Sequence, residues 1–184
     1  MKAVLISIRP KWCELIASGK KTVEVRKTRP KIETPFKVYI YMTMGKCPKF
    51  VYNENLEKQS IYEREPNTAN GKVIGEFVCD KIYDIKPHFD KPDFCNQYLC
   101  DWKWGEGNAC LSFTEMNDYL KGKNGYGFHI SDLVIYDKPR SIVELCHPCD
   151  RDPQCDCNYC KRYGGGKPIF RAPQSWCYVE ELQK

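Results

Sequence analysis

Residues 19 to 27, GKKTVEVRK, set one carboxylate, Glu24, among four basic side chains: Lys20, Lys21, Arg26 and Lys27. Lysine and arginine hold phosphates, lysine as a point charge and arginine as a planar fork. A carboxylate placed among them stays ionised, and either accepts hydrogen bonds from base amino groups or acts as a base. Lys21, Glu24 and Arg26 are thus the candidate chemical set, with Arg9, Lys20 and Lys27 as its basic surround. Strand alternation puts Glu24 and Arg26 on one face and Lys21 on the other. All three converge only if the chain turns before residue 22. The plain alternative is a solvated, salt-bridged strand face.

A second constellation lies in CHPCDRDPQCDCNYC, residues 146 to 160, which holds five of the twelve cysteines. Cys146/Cys149 and Cys157/Cys160 are Cys-x-x-Cys pairs, each able to clamp one edge of a tetrahedral zinc ion. The seven-residue spacer is shorter than the roughly 15–20 residues of a zinc ribbon. Cys155 and His147 are substitute ligands, and an iron–sulfur cluster or a merely thiol-rich loop are the other readings. Four thiolates would close the coordination sphere, so the expected Zn2+ is structural. The basic, glycine-rich KRYGGGKPIFR that follows suits either a flap against an RNA strand or a linker.

Short elements must position these residues. KAVLISI reads as a strand, and Pro10 opens a helix in which Trp12, Leu15 and Ile16 fall at helical spacing. Gly19 stands where a helix C-cap belongs, and KTVEVR follows as a strand. FKVYIYMT (36–43) is a further strand. KVIGEFVCDKIYDI (72–85) is the longest candidate, with Gly75 at a bulge. Ser112 and Glu115 have capping-box spacing, and Gly122 closes that helix. GYGFHISDLVIYD makes one or two strands, and SWCYVEEL (175–182) the last. Residues 44–71 and 86–111 are irregular insertions; Tyr98, Trp102 and Trp104 in the second either stack bases or pack the insertion. Cys95, Cys100 and Cys110 match no metal spacing, His129 reads as a satisfied strand histidine, and His88 carries no signal.

The 184 residues suffice for one domain with a core, and 42% hydrophobic content excludes disorder. Net charge is +5, but residues 1–31 carry nine Lys or Arg against Glu14 and Glu24, so the excess sits at one end. A basic end on a near-neutral body points to an anionic partner. MKAVLISIRP lacks the pattern of a signal peptide, and no run reaches the ~18 apolar residues of a membrane span. The cysteines are therefore expected as thiols or metal ligands of a cytoplasmic protein.

Gly19, Lys21, Glu24 and Arg26 fit the Gly-x-Lys-x-x-Glu-x-Arg signature, and in this the chain resembles the ASCH family. The strand ending SIRP, the helix ending at Gly19, and the later GYGFHISDLVIYDKP and PQSWCYVEE are also similar to bacterial and phage members. The resemblance implies a PUA-like β-barrel whose signature lines a cleft for RNA or a nucleotide. Some members look like RNA-binding cofactors and some have ribonuclease activity. One branch hydrolyses N4-acetylcytidine; it keeps the lysine at the place of Lys21, but carries threonine in place of Glu24. Its catalytic glutamate matches Glu115 only loosely.

The expectation is a single domain over 1–184, α+β and mainly β, built as a small PUA-like barrel. Two or three short helices and a Cys-rich insertion at about 146–172 complete it. Its function is RNA or modified-nucleotide binding through Arg9, Lys20, Lys21, Glu24, Arg26 and Lys27. The alternatives are a hydrolase on the same ligand, an amidohydrolase or ribonuclease with Lys21 and Glu24 catalytic, and a protein-interaction module acting through the insertions.

Overall fold

The computed structural model describes residues 1–44, 69–88, 97–100, 108–149, 158 and 166–182. Its element order is β1 (Lys2–Ile8), α1 (Pro10–Ala17), β2 (Val23–Arg26), β3 (Phe36–Met42), β4 (Val73–Cys79), β5 (Ile82–His88) and β6 (Gln97–Cys100). Then come α2 (Phe113–Leu120), β7 (Gly125–His129), β8 (Ser131–Arg140) and β9 (Trp176–Glu180). The fold is α+β and mainly β, as expected. The strands form two open sheets, ordered β8-β4-β3-β1-β9 and β2-β7-β5-β6. The expected small barrel is not formed among the described residues, because the two sheets share no strand pairing and keep their own edges, β8 and β9 in one and β2 and β6 in the other.

β1 lies inside the larger sheet, parallel to β3 and antiparallel to β9. Both its faces are apolar because both are covered. Val4, Ile6 and Ile8 enter one core with Ile16 of α1, Val38 and Ile40 of β3, and Phe128 of β7. Ala3 and Leu5 enter another with Tyr39, Leu145 and Val179. Each such side chain contributes about 1.5–3 kcal/mol by leaving water. In the smaller sheet, Val23 and Val25 of β2 pack with Tyr83, Ile85, Met116 and Leu120. That packing consumes one face of β2 and leaves Glu24 and Arg26 on the other.

KVIGEFVCDKIYDI is two strands. The chain leaves the larger sheet after Cys79 and joins the smaller one at Ile82, with exposed Asp80 and Lys81 at the corner. The expected bulge is present: the β4–β8 register shifts between Val73 and Gly75. A Cβ on Gly75 would stand 2.3 Å from the Val134 carbonyl oxygen, so no side chain fits there. α2 begins with the full Ser112/Glu115 capping box and ends with Lys121 and Gly122 in the left-handed region. Within the second insertion, β6 pairs with β5. Among the described residues no helix is long and apolar enough to cross a membrane.

Candidate functional site

The site starts at the end of α1. Ser18 caps the helix and Gly19 follows at φ +70°, a conformation glycine adopts without a Cβ penalty. The chain doubles back so that the Lys21 amide donates to the Leu15 carbonyl at 2.9 Å. This is the turn that strand parity demanded. It lets Lys21 approach the face of β2 that carries Glu24 and Arg26.

The three side chains meet in near-complete burial: Lys21 is 2% exposed, Glu24 3% and Arg26 8%. Lys21 Nζ donates to the Ala109 carbonyl at 2.5 Å and lies 3.3 Å from Glu24 Oε2. Arg26 Nη1 donates to Glu24 Oε1 and, at 3.0 Å, to the Val25 carbonyl. Arg26 Nη2 reaches the Ser7 carbonyl on β1 at 2.7 Å. Among the described residues, two buried side-chain atoms have no hydrogen-bond partner, Glu24 Oε2 and Arg26 Nε. Glu24 Oε2 is ion-paired with Lys21 but not aligned for a hydrogen bond.

These residues line a cleft of about 530 Å³. α1 adds Trp12, α2 adds Glu115, Asp118 and Tyr119, and the segment before β9 adds Gln174 and Ser175. The Trp12 ring has Lys11 Nζ 4.4 Å and Lys21 Nζ 5.2 Å from its centroid. Arg9, the N-cap of α1, is exposed and also lines the cleft. Lys20 and Lys27 are exposed and are not part of the lining. Lys27 Nζ lies 5.1 Å from the centroid of the Tyr119 ring, which is itself a cleft residue.

Sequence reasoning missed Tyr119, Gln174 and Ser175, and took Trp12 only as a helix-packing residue. Trp12 does pack against the core while it lines the cleft. For Gln174 and Ser175 the spatial cause is non-local: Ser7 donates its amide to the Ser175 carbonyl at 2.9 Å and its hydroxyl to the Pro173 carbonyl at 2.6 Å. Nothing near either segment in sequence announces that meeting.

Two other groups at the site have occupations that limit their chemistry. The Cys13 thiol is buried and contacts the Ile8 carbonyl. Burial, and then the Glu24 carboxylate, push its pKa well above 9.0, so it stays a neutral thiol and not a nucleophile. Glu115 accepts from the Ser112 amide at 2.9 Å and pairs with Lys11 at 3.0 Å. The Ser112 amide first, and then Lys11, hold its pKa down to about 2. A carboxylate so occupied serves as a helix cap, and is mismatched to acid–base work near neutrality.

Of the expected zinc ligands, Cys146 and Cys149 are described, while Cys157 and Cys160 lie outside the described residues. The Cys146 carbonyl accepts from the Glu180 amide at 2.9 Å, and the Cys149 amide donates to Glu180 Oε1 at 3.0 Å. Among the described residues no group of three or more His, Cys, Asp or Glu is placed to hold a metal. His129 pairs with Asp80 at 2.6 Å and packs edge-on against Tyr83, a satisfied strand histidine as expected. Cys110 donates its thiol to the Lys20 carbonyl. Cys95, Trp102 and Trp104 lie outside the described residues, and Tyr98 and Cys100 stand in β6.

Set beside known proteins, residues 6–90 match the profile of the ASCH domain. No curated protein matches the chain significantly. Among solved structures, the crystal structure of a serine-to-alanine variant of ZmASCH from Zymomonas mobilis is similar at a TM-score of 0.53 and 18% identity. That match covers 97% of this chain and 89% of the other. ZmASCH itself gives a TM-score of 0.49 at 19% identity, over 97% and 88% of the two chains. The first likeness is one of fold.

Proposed function

We propose that this chain, whose residues 6–90 match the ASCH profile, binds RNA or a modified nucleotide, with the base entering the cleft above Lys21, Glu24 and Arg26. One observation carries this reading: three ionisable side chains are buried together against the cleft, and two of their polar atoms find no hydrogen bond among the described residues. Burying ions costs several kcal/mol each, and well-packed apolar residues often serve stability as well. A base edge offering a donor to Glu24 Oε2 and an acceptor to Arg26 Nε satisfies both orphans. Trp12 and Tyr119 are aromatic walls on which a base stacks, a contact worth roughly 1–3 kcal/mol. Exposed Arg9, Lys20 and Lys27 attract the phosphates outside.

A second reading rests on the Lys21–Glu24 contact. A lysine beside a carboxylate at a cleft wall is also the equipment of a hydrolase acting on the same ligand. One experiment separates the two. Fluorescently labelled single-stranded RNA is titrated with wild-type protein and Lys21→Met at several salt concentrations, and the recovered RNA is analysed for cleavage or base deacylation. Binding predicts affinity that falls with salt and falls about tenfold or more in the variant, with the RNA chemically unchanged. Hydrolysis predicts turnover abolished by Lys21→Met with affinity nearly kept. Absence of binding at low salt refutes the RNA reading.

The Cys-rich segment is read as a structural zinc site. Cys146 and Cys149 would supply one edge and Cys157 and Cys160 the other. In support, Cys146 and Cys149 are both tied through their backbone to Glu180 of β9, and both are free thiols. Zinc held there would staple the insertion to the sheet edge and supply folding energy, not catalysis.

A further inference from the structure

The segment that ends the second insertion grips the signature one residue at a time. Asn108 O accepts from the amides of Thr22 and Val23 at 2.9 and 3.1 Å. The Asn108 amide donates to Thr22 Oγ1 at 2.8 Å. Ala109 O takes Lys21 Nζ at 2.5 Å, and the Cys110 thiol donates to Lys20 O at 3.2 Å. Residues 20 to 23 are thus each held from a segment nearly ninety positions later in the chain.

The geometry of that segment depends on one side chain. Asn108 Oδ1 accepts from the Cys110 amide at 2.8 Å, closing a turn around Ala109, and Cys110 follows at φ +53°. Asparagine side chains make such turns by bonding to the backbone two residues on. The turn leaves the Ala109 carbonyl directed at the Lys21 ammonium. Lys21 Nζ has Glu24 Oε2 as its other near acceptor, 3.3 Å away. Whichever of the two holds the ammonium decides how much of Glu24 is left for a ligand.

From this we infer that Asn108 is a positioning residue for the cleft: its side-chain turn aims Ala109 O at Lys21 and so leaves the buried Glu24 Oε2 without a hydrogen bond, free to accept one from a ligand that reaches it. For the ligand this rests on the binding function proposed above; for the position of Lys21 it does not. With the turn intact, the ammonium bonds Ala109 O and stays 3.3 Å from Glu24 Oε2 without a hydrogen bond to it. Without it, the ammonium closes on Glu24 Oε2 and occupies the acceptor that a base amine needs.

The test uses the full chain with isotope-labelled lysine and reads the Lys21 side-chain nitrogen resonance by NMR, without ligand. Asn108→Ala should move that resonance, and Asn108→Asp, which retains the acceptor oxygen, should restore it. In the RNA titration, Asn108→Ala should weaken affinity about tenfold. Combined with Lys21→Met it should add little, because the two act through one contact. If Asn108→Ala does not fold, Thr22→Val, which removes the acceptor for the Asn108 amide, carries the same comparison. An unmoved Lys21 resonance in a folded variant overturns the inference, as does an affinity loss that adds in full to that of Lys21→Met. A protein that binds no RNA yet shows the resonance shift loses the functional reading and keeps the positioning role.

Discussion

Replacing Arg26 by alanine tests whether the buried charge cluster is as interdependent as its geometry requires. The guanidinium donates to Glu24, to the Val25 carbonyl at 3.0 Å and to the Ser7 carbonyl at 2.7 Å. Glu24 is only 3% exposed, so water cannot take over the lost contacts. Removing one partner of a buried ion pair costs about 3–5 kcal/mol, since the other charge is left uncompensated. Lys21 Nζ, 3.3 Å from the second oxygen, retains part of the compensation and places the expected loss near about 3 kcal/mol. For a chain of 184 residues each kcal/mol shifts Tm by about 2–4 °C, so the melting point should fall by about 6–12 °C. Circular dichroism melts and urea titrations at neutral pH measure it. The companion variant replaces Lys21, Glu24 and Arg26 together by Met, Leu and Met. With no charge left stranded, it should recover most of that stability while losing ligand binding. An Arg26→Ala protein within about 1 kcal/mol of wild type would refute the reasoning, as would a triple variant no more stable than the single one.

Acid should act on α2 late. The folded pKa of Glu115, about 2, is depressed from the usual 4.5. Its contribution is therefore complete above about pH 4.5 and lost as pH falls from there through about 2. A carboxyl NMR titration should find Glu115 ionised at pH 3 in wild type and titrating at a higher pH in Ser112→Ala. Gly75→Ala forces a Cβ against the Val134 carbonyl, 2.3 Å away, and should cost about 1–3 kcal/mol by pushing β4 from β8. Urea denaturation reads this, and a loss below about 0.5 kcal/mol would show that β8 yields freely. Protein purified without added metal should carry about one zinc per chain by elemental analysis, and chelation should lower its melting point. Less than about half occupancy returns the cysteines to free thiols.

Much of this molecule is legible locally because its devices act within a few residues. Pro10 removes an unpaired donor from the first turn of α1, while Gly19 just past its end and the Ser112/Glu115 box of α2 satisfy helix-end groups from the adjoining sequence. The continuous apolar run of KAVLISI and the alternation in KTVEVR mark the strands, the first covered on both faces and the second on one. The signature Lys21, Glu24 and Arg26 is visible on residue type and spacing. The split of residues 72–85 into β4 and β5 is not, because both halves are equally apolar and only the choice of sheet divides them.

Residues 19 to 27 carry their charges in the sequence, and the turn at Gly19 is foreseeable from the glycine. The burial of Lys21, Glu24 and Arg26 is not. Lys21 is held by a carbonyl from Ala109, Arg26 by one from Ser7, and the cleft is walled by Tyr119 and Gln174. Backbone carbonyls are present at every residue and leave no mark in the choice of side chain. Which of them reaches a given ammonium or guanidinium follows from how β1, β2 and the 108–110 segment come together. A stretch that reads as a solvated basic strand becomes, once those segments meet, a buried ion cluster at the floor of a cleft.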